Sequence, residues 1–379
     1  MKKLFLFLLL CCFSLGYAKP LPPIIKGLAG KALSAAQLRT LSHNATADLT
    51  RRLKRMPQVR MNPRQQFNPN VSPREIPAVQ VQLHAYSVNS ASATPLMVDG
   101  KKELFFATHW AEEIKKDPHV KVTTPSGEVI IAPIKKMYST HKRGLDLTVF
   151  RAPEEIEPFL PELKPAEDLV EAGTPVNISG FAHESPTFLS EEIVLFASPI
   201  RYVIQMRNPK MLGGICGGTG MDPVTGEVIA IEQGYNYMGS ALMAQWFQLL
   251  PRDAQENLTD VHFAIPIQNA VAVARAFESG DDSLAAIEMK VLGRPVALLY
   301  PDEYIFSVLL MRDGIEKQTI HFNPFLNPQK LEEFFNLEPN DVLRIVVQRG
   351  TPGTKKAQTI YYDVNVSTGE VTTMYGDKK

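Results

Sequence analysis

From Ala78 onward, short stretches of the chain carry an apolar residue at every second position. The first is the clearest: Val79, Val81, Leu83 and Ala85 alternate with Gln80, Gln82, His84 and Tyr86, the period of a strand with one buried face. Further strands are expected at 95–98, 104–107, 119–123, 129–134, 147–150, 176–179, 193–197, 202–206 and 228–232. Turn signals such as Asp99-Gly100 and Ser126-Gly127 punctuate them about every ten residues. That rhythm favours a sandwich or barrel over alternating strands and helices. Over 268–279 the period becomes helical, with Ala270, Val273, Ala274 and Phe277 on one side, and Gly280-Asp281-Asp282-Ser283 then reads as a linker.

The last hundred or so residues make a second unit, 281–379. A hairpin is expected over 304–312 and 316–322 around Asp313-Gly314, a helix over 328–335, and strands over 342–348, 358–366 and 370–375. This predicts a small α+β accessory domain, without a catalytic constellation of its own.

The other end of the chain changes the picture. MKKLFLFLLLCCFSLGYAKP has two lysines, a short apolar run and small residues before Lys19, the layout of a signal peptide over 1–18. Export to the periplasm or the exterior is expected. The apolar run is short for a membrane helix, and no integral membrane segment is expected after cleavage. Residues 19–76 carry eleven Lys or Arg against Asp48 and Glu75, with many prolines from Pro57. The segment 19–77 reads as a flexible basic arm, a pro-segment or a tail that contacts a surface or partner. Over all 379 residues Lys+Arg and Asp+Glu balance at 40 each, so no polyanionic partner is indicated and nucleic acid is not expected.

Cysteine usage sharpens the chemistry. The chain has three: Cys11, Cys12 and Cys216. Removal of the signal leaves one thiol in an oxidising compartment with no internal disulfide. Such a thiol is either a small buried apolar group or is kept for its reactivity. It stands in GGICGGTG, residues 213–220, where glycines let the backbone turn sharply and aim amides at a substrate carbonyl. A cysteine nucleophile also needs a base and an orienting partner for that base. His109 follows the apolar run LFFAT, at the end of a strand. Asp146 sits at the mouth of the apolar strand GLDLTVF, where an unpaired charge would be costly. Taken singly, each residue also fits a plain structural role: a buried Cys, a satisfied His, a capped Asp.

Taken in order, segments from about 79 to 279 resemble the trypsin-like proteases of chymotrypsin fold, most closely bacterial extracytoplasmic HtrA-type members. LFFATHW resembles the strand with the histidine, RGLDLTVFRAP the strand with the acid, and GTPVNISGF the strand before the second barrel. GICGGTGMDPVTGEVIAIEQG resembles the nucleophile loop, hairpin and pocket wall, and HFAIPIQNAVAVARAF the closing strand and helix. His109, Asp146 and Cys216 stand in the family's order, 37 and 70 residues apart. The resemblance implies a mainly β fold of two packed antiparallel β-barrels over 78–280, with the site between them. It implies His109 as general base and acid, Asp146 as its orienter and Cys216 as nucleophile. The amides of Gly214 and Cys216 would form the oxyanion hole, and Ile231, Glu232, Gln233 and Gly234 would line the substrate pocket. By family position Lys210 would lie at the base of that pocket and favour an acidic residue before the cut; the alternative is that it faces water.

Two features depart from the bacterial pattern: cysteine replaces serine, and Thr219-Gly220 replaces the proline after the second glycine. Cysteine in this loop is instead the pattern of picornavirus-type proteases of the same fold. No phosphate-loop, dinucleotide or zinc spacing is present, so no cofactor or metal is expected. The chain is expected to be an exported endopeptidase acting on proteins or peptides. The alternative is an inactive scaffold that binds protein.

Overall fold

Apolar alternation begins the described part of the chain as the sequence predicts. The computed structural model describes residues 76–82, 90–107, 119–123, 126–141, 144–182, 185–206, 214–234, 260–321, 326–350 and 357–376. Strand β1 (Val79–Gln82) is followed by β2 (Ser90–Val98), β3 (Lys101–Ala107), β4 (His119–Thr123), β5 (Val129–Pro133), β6 (Tyr138–Ser139) and β7 (Leu147–Arg151). These form one seven-stranded sheet in the order β5-β4-β1-β2-β3-β7-β6. The long strand β2 pairs with β1 through 90–93 and with β3 through 94–98. It thereby turns a corner and curls the sheet into a half-barrel around Val81, Leu104, Phe106, Val120 and Phe150. Phe106 and Phe150 meet edge to face, ring centroids 5.6 Å apart, the favoured aromatic geometry.

Strands β3 and β7 are covered on both sides. Leu104 and Phe106 face the half-barrel core, while Phe105 and Val149 face a second cluster outside it. Burial on both faces explains why LFFA is a continuous apolar run and LTVF is interrupted by Thr148 alone.

The second barrel closes fully. Its strands are β8 (Pro175–Ala182), β9 (Ser185–Ala197), β10 (Tyr202–Met206), β11 (Thr219–Met221), β12 (Val228–Gly234) and β13 (Asp260–Pro266), in the order β10-β13-β12-β11-β8-β9. Val176, Ile178, Val194, Tyr202, Ile204, Ala230 and Ala264 fill it. The fold is thus mainly β, with a closed six-stranded barrel packed against a half-barrel. Helix α1 (Ile267–Ser279) follows, burying Ala270, Val273 and Ala274 and stopping at Gly280 in the left-handed conformation, the usual helix terminator.

The stretch expected to be a linker is ordered and bonded. Asp281 caps the 3-10 turn Asp282–Ala285, and the Tyr138 hydroxyl donates to Asp282. Beyond it lie the hairpin β14 (Ile287–Val291) and β15 (Arg294–Leu299) and a five-stranded sheet. That sheet comprises β16 (Glu303–Arg312), β17 (Ile315–His321), β18 (Val342–Arg349), β19 (Gln358–Asn365) and β20 (Val371–Tyr375), ordered β17-β16-β18-β19-β20. Helical character in 328–335 is confined to one 3-10 turn, Leu331–Phe334. Among the described residues α1 is the one α-helix.

This C-terminal unit does not hang free of the barrels. One buried cluster joins Leu96, Phe105, Leu145 and Leu147 of the half-barrel to Ile265 and Ile267 near the start of α1. It continues through Val273 into Val308, Ile345 and Val347 of the C-terminal sheet. Burial of large apolar side chains at about 25 cal/mol per Å² makes such a shared core hard to separate.

Candidate active site

The loop around Cys216 lies on the inner strand of the half-barrel, and small polar side chains of β2 hold it there. The Ser92 N–H donates to the Cys216 carbonyl at 3.0 Å. The Ser92 hydroxyl donates to the Gly214 carbonyl at 2.9 Å and accepts from the Phe181 N–H at 2.7 Å. The Thr94 hydroxyl donates to the Gly217 carbonyl at 2.9 Å and lies 3.0 Å from the Thr219 hydroxyl, which donates to the Pro77 carbonyl at 2.7 Å. Ser92, Thr94 and Thr219 are fully buried, so each bond offsets a desolvation cost. Thr219, which replaces the expected proline, thus joins the loop to the half-barrel and to the segment leading into its first strand.

Gly217 shows why glycine is required. Its φ is +89°, and a Cβ there would lie 1.9 Å from the Ser92 carbonyl oxygen and 2.9 Å from the Phe106 Cβ. The loop therefore approaches β2 with no room for a side chain. From the other side β12 completes the seat: the Gly217 N–H donates to the Glu232 carbonyl at 2.6 Å, and the Glu232 N–H to the Gly218 carbonyl at 2.8 Å. Among the described residues nothing accepts from the N–H groups of Gly214 or Cys216. The Cys216 thiol is free and partly exposed.

Asp146 is held in the same corner. It is fully buried, with φ +54°, a left-handed conformation that Asp tolerates better than most residues. Its N–H donates to the His141 carbonyl at 3.2 Å. The Gln233 side-chain amide donates to its carboxylate at 2.7 Å. The fully buried Arg201 adds a positive charge that interacts with Asp146; burial pushes the Arg201 guanidinium down to about 10, with Asp146 opposing. Arg201 also donates to the Gly144 carbonyl at 3.1 Å, and its guanidinium lies over the Phe263 ring, 5.5 Å from the centroid.

Strand β12 links the two. Its register against β13 slips between Glu232 and Gly234, and this bulge re-aims the side chain of Gln233. Glu232 therefore bonds the Cys216 loop through its main chain while the next residue bonds Asp146 through its side chain. The side chain of Glu232 points into the second barrel, on the same face as Ala230. There it meets the Nδ1 of His262 at 2.6 Å, both side chains wholly buried.

Three of the residues expected to line a substrate pocket have contacts of their own. Ile231 belongs to the shared core, Glu232 is committed to His262, and the amide of Gln233 is committed to Asp146. What this stretch can offer a substrate is main chain. His109, Lys210 and the 1–75 segment lie outside the described residues. The sequence does not single out Ser92, Thr94, Arg201 and His262, or the bond from Gln233 to Asp146. The one available signal is SASAT, in which small polar residues alternate with alanine. No three His, Cys, Asp or Glu among the described residues are placed to hold a metal, and no described helix is long and apolar enough to cross a membrane.

No family model matches the chain, and no curated protein does. Solved structures do. Rv3671c from M. tuberculosis, in an inactive form, is 15% identical and aligns over 59% of this chain and 97% of its own, with a TM-score of 0.36. Deg5 is 14% identical over 54% of this chain and 90% of its own, at 0.37. Kallikrein-related peptidase 10 is 13% identical over 56% and 98%, at 0.38. All three scores lie below 0.5, so the chemistry rests on the residues alone.

Proposed function

We propose that the chain is an exported endopeptidase that cleaves peptide bonds through Cys216, His109 and Asp146. One observation carries the reading. Adjacent residues of β12, Glu232 and Gln233, bond the Cys216 loop and the Asp146 carboxylate respectively. Residues 70 apart in the chain are thereby gathered at the junction of half-barrel and barrel, each rigidly supported.

The chemistry follows from that support. His109 takes the Cys216 proton, and the sulfur attacks the scissile carbonyl carbon. The N–H groups of Gly214 and Cys216 receive the developing oxyanion. Collapse expels the amine, protonated by His109, and leaves a thioester. Water, deprotonated by His109, then releases the acid. Asp146 keeps the imidazole oriented and offsets its charge, with Gln233 fixing the carboxylate. By the resemblance Lys210 would stand in the first specificity pocket and favour an acidic residue before the cut; the alternative is that it faces water. The signal peptide over 1–18 directs the chain out of the cytoplasm, and the basic segment 19–77 supplies a contact with a surface or partner.

The test is alkylation of the folded protein by a peptidyl electrophile. Cys216 should react far faster than a small free thiol, Cys216→Ala should abolish labelling, and His109→Ala should slow it by about 10²- to 10⁴-fold. Labelling of Cys216 at the rate of a free thiol, unchanged in His109→Ala, would refute the enzyme and favour a protein-binding scaffold.

A further inference from the structure

The loop that carries Asp146 is enclosed by the C-terminal unit as well as by the barrels. The His141 N–H donates to the Pro301 carbonyl at 2.9 Å. The His141 ring stacks on Tyr304, centroids 5.0 Å apart and planes 13° from parallel. Between these contacts Gly144 approaches the same segment so closely that a Cβ would lie 2.6 Å from the Glu303 carbonyl oxygen. The His141 carbonyl in turn accepts from both Gly144 and Asp146 N–H groups. The path from Tyr304 to Asp146 is thus one stack and a few main-chain bonds.

The surface that presses on the loop is itself stiff. Glu303 and Tyr304 are buried. The Glu303 carboxylate bonds Arg349 at 2.6 Å and accepts from the Tyr300 N–H at 3.0 Å. The Tyr304 hydroxyl bonds Gln348 at 2.6 Å. On either side of Asp146, Leu145 and Leu147 belong to the core that runs into the C-terminal sheet. Asp146 holds a left-handed conformation in a buried setting, and part of that setting comes from residues 301–304.

We propose that Pro301, Glu303 and Tyr304 are positioning residues for Asp146, so that the C-terminal unit is a working part of the site. The proposal rests on the reading of Asp146 as the group that orients His109. When the clamp loosens, His141 and Gly144 shift, Asp146 leaves its place beside Gln233, and the reactivity of Cys216 falls though no residue near the thiol has changed.

The experiment uses the full chain and the same peptidyl electrophile, read across pH, with hydrogen exchange of the 140–147 amides alongside. His141→Ala removes the stack from a partly exposed side chain and should slow alkylation of Cys216 at least tenfold, alter its pH profile and speed exchange in 140–147. His141→Phe, which keeps a ring on Tyr304, should return all three towards the wild type. Gly144→Ala, whose added methyl forces Glu303 away, should act like His141→Ala. If folded His141→Ala and Gly144→Ala proteins alkylate at the wild-type rate with an unchanged pH profile, the positioning role is wrong and the peptidase reading stands. If the wild type itself reacts no faster than a free thiol, the peptidase reading falls and this role falls with it.

Discussion

Replacing Gln233 with methionine removes one donor from Asp146 and little else, because the two side chains are close in volume and the site is enclosed. The bond at stake is 2.7 Å long, between an amide and a carboxylate that are 1% and 0% exposed. A hydrogen bond to a charged group contributes about 1.5–3 kcal/mol, and neither atom can turn to water instead. The full penalty for orphaning a buried charge, about 3–5 kcal/mol, should not appear, since Arg201 still faces the carboxylate. Gln233→Met is therefore expected to cost about 2–3 kcal/mol, with 2 kcal/mol equivalent to about 30-fold in the folding equilibrium. Urea unfolding followed by circular dichroism measures it. In an Asp146→Asn background the same change should cost about 1 kcal/mol, the value of a neutral bond. The difference is the coupling between the two residues. Gln233→Met should also slow alkylation of Cys216 about tenfold, as a loss of about 1.4 kcal/mol in the transition state implies. A stability change within about 0.5 kcal/mol of wild type, or an equal loss in both backgrounds, would show that Gln233 does not hold a charged Asp146.

Two further expectations follow from the packing. Gly217→Ala must place a methyl within 1.9 Å of a buried main-chain oxygen, so it should cost about 3 kcal/mol or more once strain and overpacking combine. Gly100→Ala has a similar φ of +78° but open space around it and should cost only about 1 kcal/mol; equal losses in denaturant titrations would contradict the close approach at Gly217. Burial raises the carboxyl of Glu303 above its ordinary range, with the Tyr300 N–H and Arg349 acting the other way. A carboxyl raised in the folded state favours folding at low pH and loses that contribution as pH rises through the raised value. The melting temperature of Glu303→Gln should therefore gain on the wild type between about pH 4 and about pH 7, and a gap that moves the other way would sink the assignment.

Much of the fold can be read from period and punctuation. The strands at 119–123 and 202–206 match residue for residue, because alternation and flanking turns are properties of a few neighbouring residues. Asp99-Gly100 and Asp313-Gly314 adopt positive φ at both positions, as hairpin turns of this composition do. The β14–β15 hairpin is not legible for the complementary reason. Its turn, Leu292-Gly293, puts a leucine at φ +50° where Asn or Asp would announce a hairpin, and Pro295 stands in its second strand. The accessory unit also looks separable at Gly280–Ser283, because glycine and aspartate mark loops whether or not the loop is packed.

The site divides along the same line. GGICGGTG and GLDLTVF single out Cys216 and Asp146 by composition alone, since glycines around a lone thiol and an acid at an apolar strand entrance are local anomalies. Their supporting residues carry no such mark. Gln233 reaches Asp146 across 87 positions and Ser92 reaches Gly214 across 122, and only the bulge in β12 determines which way Gln233 points. Burial of β3 and β7 on both faces, and the contacts of Pro301 with His141 and of Glu303 with Gly144, likewise arise from packing between distant segments. Local pattern marks most strands and turns and the candidate groups, because backbone preference and chemical identity are local. Which groups face each other is decided by register and close packing, which exist only once the chain has folded.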